Sequence, residues 1–387
     1  MSIQTFWWEK DKAPWWGSLF ENANLTSKDK EEYRIQALRE QFLKRPAPGF
    51  LGEVSIDRAI LVTESYKETE EHPPVLRRAK ATEKILKNIP VKIYPYELIV
   101  GLTSTSQRGV NVCPEFHTHF LEREVILEGE KMTELDGIAK RKECTYIVHE
   151  EDKKRLREEI FPYWRGKNTY TYCMDELKRH YPHIHEAELY GQVWDFIYRC
   201  ESPANVILDH ATVLNKGLIG IKAEIDEQIS KLDCSNQGDI ERRIMYEAMK
   251  IAADAIVTYA NRYAEEAERL AENEPDPSRK KELLQIAKVC RRVPFHPASS
   301  WWEAVQSFWF VHSVPKLIEH GSSYSVGRLD QFMYPFLEKD LKSDKITKKK
   351  AQELLECLWL KFCQVRFLYD YIDSKVFADF YDDNNLT

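Results

Sequence analysis

The chemistry open to this chain rests first on its thiols and imidazoles. Eight cysteines stand at positions 113, 144, 173, 200, 234, 290, 357 and 363, with eleven histidines among the 387 residues. A thiol becomes a nucleophile only where a base, a cation or a helix N-terminus favours the thiolate. No local motif around Cys200 or Cys363 offers that, and both read as packed thiols. No two cysteines form a CxxC, and Cys113 alone lies close to histidines, in the run to His117 and His119. That group lacks the second ligand pair of a four-coordinate metal site. His180, His183 and His185 are also close together, but Pro182 interrupts them and no carboxylate completes a motif. No metal site is expected. Ser322, Ser323 and Ser325 in HGSSYSVGR, and Asn205, are small polar groups in turn-like sequence. Such residues in turns also serve as backbone caps. GxGxxG, P-loop, GxSxG and HExxH are all absent from the sequence.

The elements that hold these residues read as mainly helical. Residues 1–26 have no periodicity and carry Trp7, Trp8, Trp15 and Trp16, an aromatic N-terminal extension. From Ser27, a good N-cap, helical patterning runs to the breakers Pro46, Pro48 and Gly49. Further helices are expected from Asp57 to about Thr69 and from Val75 to Asn88. Tyr96 to Leu102 reads as a strand or an extended core segment. Over 107–190 the periodicity is weak, and helices separated by long loops are expected. An apolar stripe through Ala248, Ala255, Tyr259, Tyr263 and Ala267 predicts a long helix from Asp239 to Ala271. Asp276-Pro277 opens the next helix. Ser300 and Glu303 read as a capping box on a helix apolar nearly all round, and Thr347 caps the last one. No linker or repeat divides residues 27–387.

The net charge of -7 gives no basic footprint for nucleic acid. No long uncharged apolar run suggests a membrane span, and scattered free thiols point to the cytoplasm.

Several segments, in order, resemble glycyl radical enzymes of the pyruvate formate-lyase superfamily. They are VLRRAK from Val75, the PxELIVG element at Pro95 to Gly101, Arg108-Gly109, and DHATVLNKGLIG from Asp209, where the family reads DYxxVLxxGLxG. RIMYEAMKIAADAIVTYANRY from Arg243, AKVCRRVP from Ala287, EAVQ from Glu303 and GRLDQFMYP from Gly327 follow. The resemblance implies a helix-rich α/β fold, half of a ten-stranded barrel wrapped by helices. It implies C–C or C–heteroatom cleavage in a small organic substrate, by a thiyl radical that a glycyl radical generates. No cysteine here lies in a context like the thiyl loop, and the RVxGY of the glycyl loop is absent. The resemblance thus implies an N-terminal component with no cofactor bound directly and an oligomeric assembly. Its partners would be a C-terminal half polypeptide and a radical SAM activase. A non-catalytic truncated or scaffold form of the same fold is the alternative. Ser322, Ser323 and Ser325 fall where relatives place substrate-facing groups. Asn205 replaces a histidine common in dehydratase-like members, which argues against a glycerol or diol dehydratase. Arg328 and Asp330 read as an ion pair at the edge of the core.

Overall fold

The computed structural model describes residues 30–43, 50–116, 119–142, 144–189, 206–319, 324–368 and 370. Helices dominate: α1 (Lys30–Leu43), α2 (Asp57–Glu68), α3 (Pro74–Asn88), α4 (Thr169–His180), α5 (Pro182–Leu189), α6 (His210–Ser230) and α7 (Gln237–Glu272). They are followed by α8 (Pro277–Arg292), α9 (Trp301–Glu319), α10 (Leu329–Lys342) and α11 (Lys348–Phe362). The caps follow the local chemistry. Asp276 accepts from the Ser278 N–H at 3.0 Å, with Pro277 in the first turn, and Thr347 accepts from the Lys350 N–H at 3.1 Å. At α9 the box is shifted by one residue. The Ser300 hydroxyl accepts from the Glu303 N–H at 3.3 Å, while the Glu303 carboxylate takes the Ser299 N–H at 2.7 Å. Arg292 also reaches that carboxylate, at 3.1 Å, and draws it back along the chain.

The weakly periodic middle contains strands as well as helices, which corrects the helix-and-loop expectation. β1 (Phe50–Ser55) and β2 (Gly109–Asn111) pair in parallel, and β3 (Glu124–Leu127) and β4 (Glu130–Thr133) form an antiparallel hairpin. β5 (Thr145–Ile147) joins the other edge of β1, also in parallel. Strands of three or four residues are too short to show a period of two, and a distant partner sets their register.

Tyr96–Leu102 is a run of turns and bends rather than the expected strand or extended segment, with Tyr96 at φ 69° and Gly101 at φ 121°; residues 97–102 are buried, and the run joins no sheet. Its backbone groups still need partners, because an orphaned polar group inside a protein costs as much as a lost hydrogen bond. Side chains supply them. Gln306 of α9 takes the Val100 N–H at 2.9 Å and donates to its carbonyl at 2.7 Å, a clamp on both groups. Tyr263 of α7 accepts from the Leu102 N–H at 3.0 Å, and Tyr259 donates to the Leu102 carbonyl at 2.8 Å. The Trp309 indole donates to Gly101 at 2.9 Å and Trp302 to Leu98 at 3.2 Å. Gly101 has a φ of 121°, and a Cβ there would lie 3.0 Å from the Trp309 indole nitrogen, so only glycine fits.

A second core feature lies at the start of α6. Asp209 caps the helix through the Thr212 N–H, which seats His210 inside. The His210 ring packs 4.2 Å from Phe308, 5.7 Å from His312 and 5.9 Å from Phe332, by ring centroids. Both its nitrogens are buried with no hydrogen-bond partner among the described residues. Burial pushes its pKa down to about 4, and Asp209 offsets this only in part. His312 is likewise pushed well below the ordinary range, by burial and then by His210 and Lys316. Later in the same helix Gly217 breaks the α geometry at φ 65°. A Cβ there would strike the Phe295 carbonyl at 2.4 Å.

Two predictions follow from this packing. Gln306→Leu keeps the volume but orphans two buried backbone groups, so it should cost roughly 2–6 kcal/mol. Denaturant unfolding checks this, and an unchanged midpoint would contradict the clamp. His210 takes up its proton more readily in the unfolded chain, so folding stability falls as pH drops from about 6.5 towards 4. His210→Phe should reduce the loss between about pH 7.5 and about pH 5.5 by on the order of 1 kcal/mol. Equal losses in the two proteins would show that the imidazole is not held neutral.

Candidate functional site

The two stretches holding the candidate substrate-facing groups meet in space. Ile207 and Ser325 form a parallel bridge, with the Ser325 N–H donating to the Val206 carbonyl at 2.9 Å. Both stretches lead into the aromatic stack: His210 lies three residues after Ile207, and Phe332 lies one turn into the helix after the second. Ser325 is half-buried, and its hydroxyl accepts the Gly327 N–H at 3.3 Å, which holds the turn at Gly327, where φ is 64°. Ile207 lies over that turn and is 69% exposed, so one side of the seam is open. Asn205, Ser322 and Ser323 lie outside the described residues, as do Cys200, His117 and the 1–26 extension. Arg328 and Asp330 do pair, at 3.6 Å, but both are more than 70% exposed. They lie in solvent rather than at the core edge, and such a pair contributes little.

A buried charge network fixes the end of α9, just before the second stretch. Arg58 of α2 is fully buried and donates to the Leu317 carbonyl at 2.9 Å, to the Ile318 carbonyl, and to both oxygens of Glu115. Arg78 of α3 reaches Glu115 and Ile318, each at 2.8 Å, and pairs with Glu319. Burial alone would raise the Glu115 carboxyl, but the two guanidiniums outweigh it and hold it at about 2. Sequence reasoning missed these residues as a unit. The available signal was an arginine beside Ala59 and Val62 on the inward face of α2.

Three of the described thiols are held protonated by burial. Burial pushes Cys113 and Cys357 up to about 12 and raises Cys290 further. Cys363 is half-buried and Cys234 exposed. His180 pairs with Glu176 at 3.3 Å on the surface, and among the described residues no three metal-binding side chains converge. No described helix is long and apolar enough to cross a membrane. A cavity of about 410 Å³ lies elsewhere, between the α2–α3 hairpin and the segment around Tyr163 and Trp164.

A family model described as pyruvate formate lyase-like matches residues 23–387. Trans-4-hydroxy-L-proline dehydratase of Clostridioides difficile is 34% identical over 333 residues, which span 85% of this chain and 39% of that protein. A solved structure concerning 1,2-propanediol dehydration in Roseburia inulinivorans superposes with a TM-score of 0.81 at 36% identity. It covers 92% of this chain and 39% of its own. A glycyl radical enzyme from Archaeoglobus fulgidus superposes with a TM-score of 0.77 at 33% identity, covering 88% and 41%. The chain thus spans about two-fifths of the length of these relatives. On this evidence it belongs to the pyruvate formate lyase-like glycyl radical enzymes, and its helix-rich α/β fold is part of the barrel they share.

Proposed function

We propose that this chain forms the N-terminal part of a glycyl radical lyase or dehydratase that cleaves a carbon–heteroatom bond in a small organic substrate. The observation that supports this reading is the Ile207–Ser325 bridge. It sets side by side two segments, far apart in the chain, in which the resemblance places substrate-facing groups. In this reading Ser325, Ser323, Ser322 and Asn205 bind the substrate's polar atoms, and a C-terminal polypeptide covers the open side at Ile207. The thiyl cysteine and the radical glycine belong to that polypeptide, and a radical SAM activase installs the radical. When present, the glycyl radical supplies hydrogen-atom abstraction from the thiol. The residues of this chain position the substrate and keep water out, with the Arg58–Glu115–Arg78 network fixing the helix end that leads into the serine segment. The raised Cys113 and Cys357 thiols agree with packing rather than reacting roles for those two cysteines. Asn205, where dehydratase-like relatives often have histidine, argues for a substrate other than glycerol or a simple diol.

Anaerobic activation in the presence of a polypeptide carrying the cysteine loop and RVxGY should give turnover and an electron paramagnetic resonance doublet. The chain alone should give neither, and a doublet from it alone would overturn the assignment. In the active assembly, Ser325→Ala should leave the doublet intact and raise KM by roughly 3–10-fold, the loss of one hydrogen bond to substrate. Unchanged kinetics would remove Ser325 from the site.

A further inference from the structure

The 410 Å³ cavity near Trp164 plays no part in the proposed reaction, and its lining has a definite chemistry. Its walls are Tyr66, Tyr163 and Trp164, with the Trp164 ring 5.1 Å from Tyr66 and 5.2 Å from Tyr163. The walls are fixed. The Trp164 indole is buried and donates to Thr63 at 2.8 Å, and Gly166, at φ 72°, turns the chain so that Lys167 folds back over the Tyr163 ring at 4.2 Å. Arg77 lies over the Tyr66 ring at 4.6 Å and donates one Nη to the Tyr66 carbonyl, while its buried Nε has no partner among the described residues. Lys67 approaches Tyr163 at 5.3 Å. The lining itself holds two cations, Arg77 and Lys167, and one carboxylate, Glu70, 3.9 Å from Lys167 and 3.5 Å from the Tyr163 hydroxyl. The local balance is therefore positive over an aromatic floor. The volume lies within the roughly 300–1,000 Å³ of small-molecule sites, which are typically apolar with a few convergent polar groups.

We propose that this cavity is a binding site for a small aromatic carboxylate, separate from the seam at Ser325. The ring lies against Tyr66, Tyr163 and Trp164, in the offset or edge-on packing that aromatic rings prefer. The carboxylate takes charge-assisted hydrogen bonds from Arg77 and Lys167, and Lys167 gives up its long contact with Glu70 for a direct one. An uncharged analogue loses those bonds, and a carboxylate without a ring loses the floor.

Titration of the full chain with benzoate, by calorimetry or by fluorine NMR of 4-fluorobenzoate, tests this without any need for activity. Benzoate should bind with a Kd of ~1 mM or tighter, with benzyl alcohol and acetate at least ~10-fold weaker. Arg77→Gln and Lys167→Met should each weaken benzoate at least ~5-fold. Lys167 is 54% exposed, so its variant keeps the fold and decides the matter if Arg77→Gln proves unstable. No benzoate binding, equal affinity for benzyl alcohol, or affinity unchanged in Lys167→Met would each overturn the proposal.

Discussion

A protein that buries a stretch of chain outside any sheet or helix must find a partner for every peptide group in it. In the run from Glu97 to Leu102, side chains of α7 and α9 supply partners for both groups of Val100 and Leu102 and for the carbonyls of Leu98 and Gly101. The Gln306 clamp, the two tyrosine hydroxyls and the two indoles each use a polar atom mounted on a large apolar body. The same residues therefore fill the core and satisfy the backbone. Because they come from α7 and α9, the segment fixes how those helices sit relative to α3 and to one another. Everything built on α9, including the aromatic stack and the serine-bearing stretch beyond it, inherits that placement.

Buried charge does a related job at the helix ends. Glu97 pairs with Lys361 of α11 at 2.6 Å, both almost wholly buried, so the irregular segment is tied to the last helix as well. Arg58, Arg78 and Glu115 tie α2 and α3 to the last turn of α9. Such networks seldom add much stability over an apolar core, but breaking one leaves a charge with no partner. Their effect here is on geometry: a guanidinium that donates to two successive carbonyls fixes where a helix stops. The segment that follows then starts from a defined point.

The helices were largely legible in the sequence because their signals are local. Asp276-Pro277, Thr347 and the stripe through Tyr259 and Tyr263 act within a few residues of where they are read. The Ser300 box was readable too, but its one-residue shift depends on Arg292, which sequence spacing does not relate to it. Tyr96–Leu102 could be read as a core segment, whereas its turns and its lack of a strand partner follow from long-range bonds. The strands of the middle region escaped because each is too short to carry a period. Of the candidate site, Ser325 was legible through resemblance alone. The aromatic and cationic side chains of the second cavity were not, since Tyr66, Arg77 and Lys167 come from three separate elements and form no motif.

Native-state amide hydrogen exchange at Val100 and Leu102 tests the central claim most directly. If side chains from α7 and α9 hold these N–H groups inside the core, both should exchange only on global unfolding, with protection matching the amides in the middle of α9. Exchange at the rate of an open surface loop, while α9 stays protected, would show that the segment is not anchored as described.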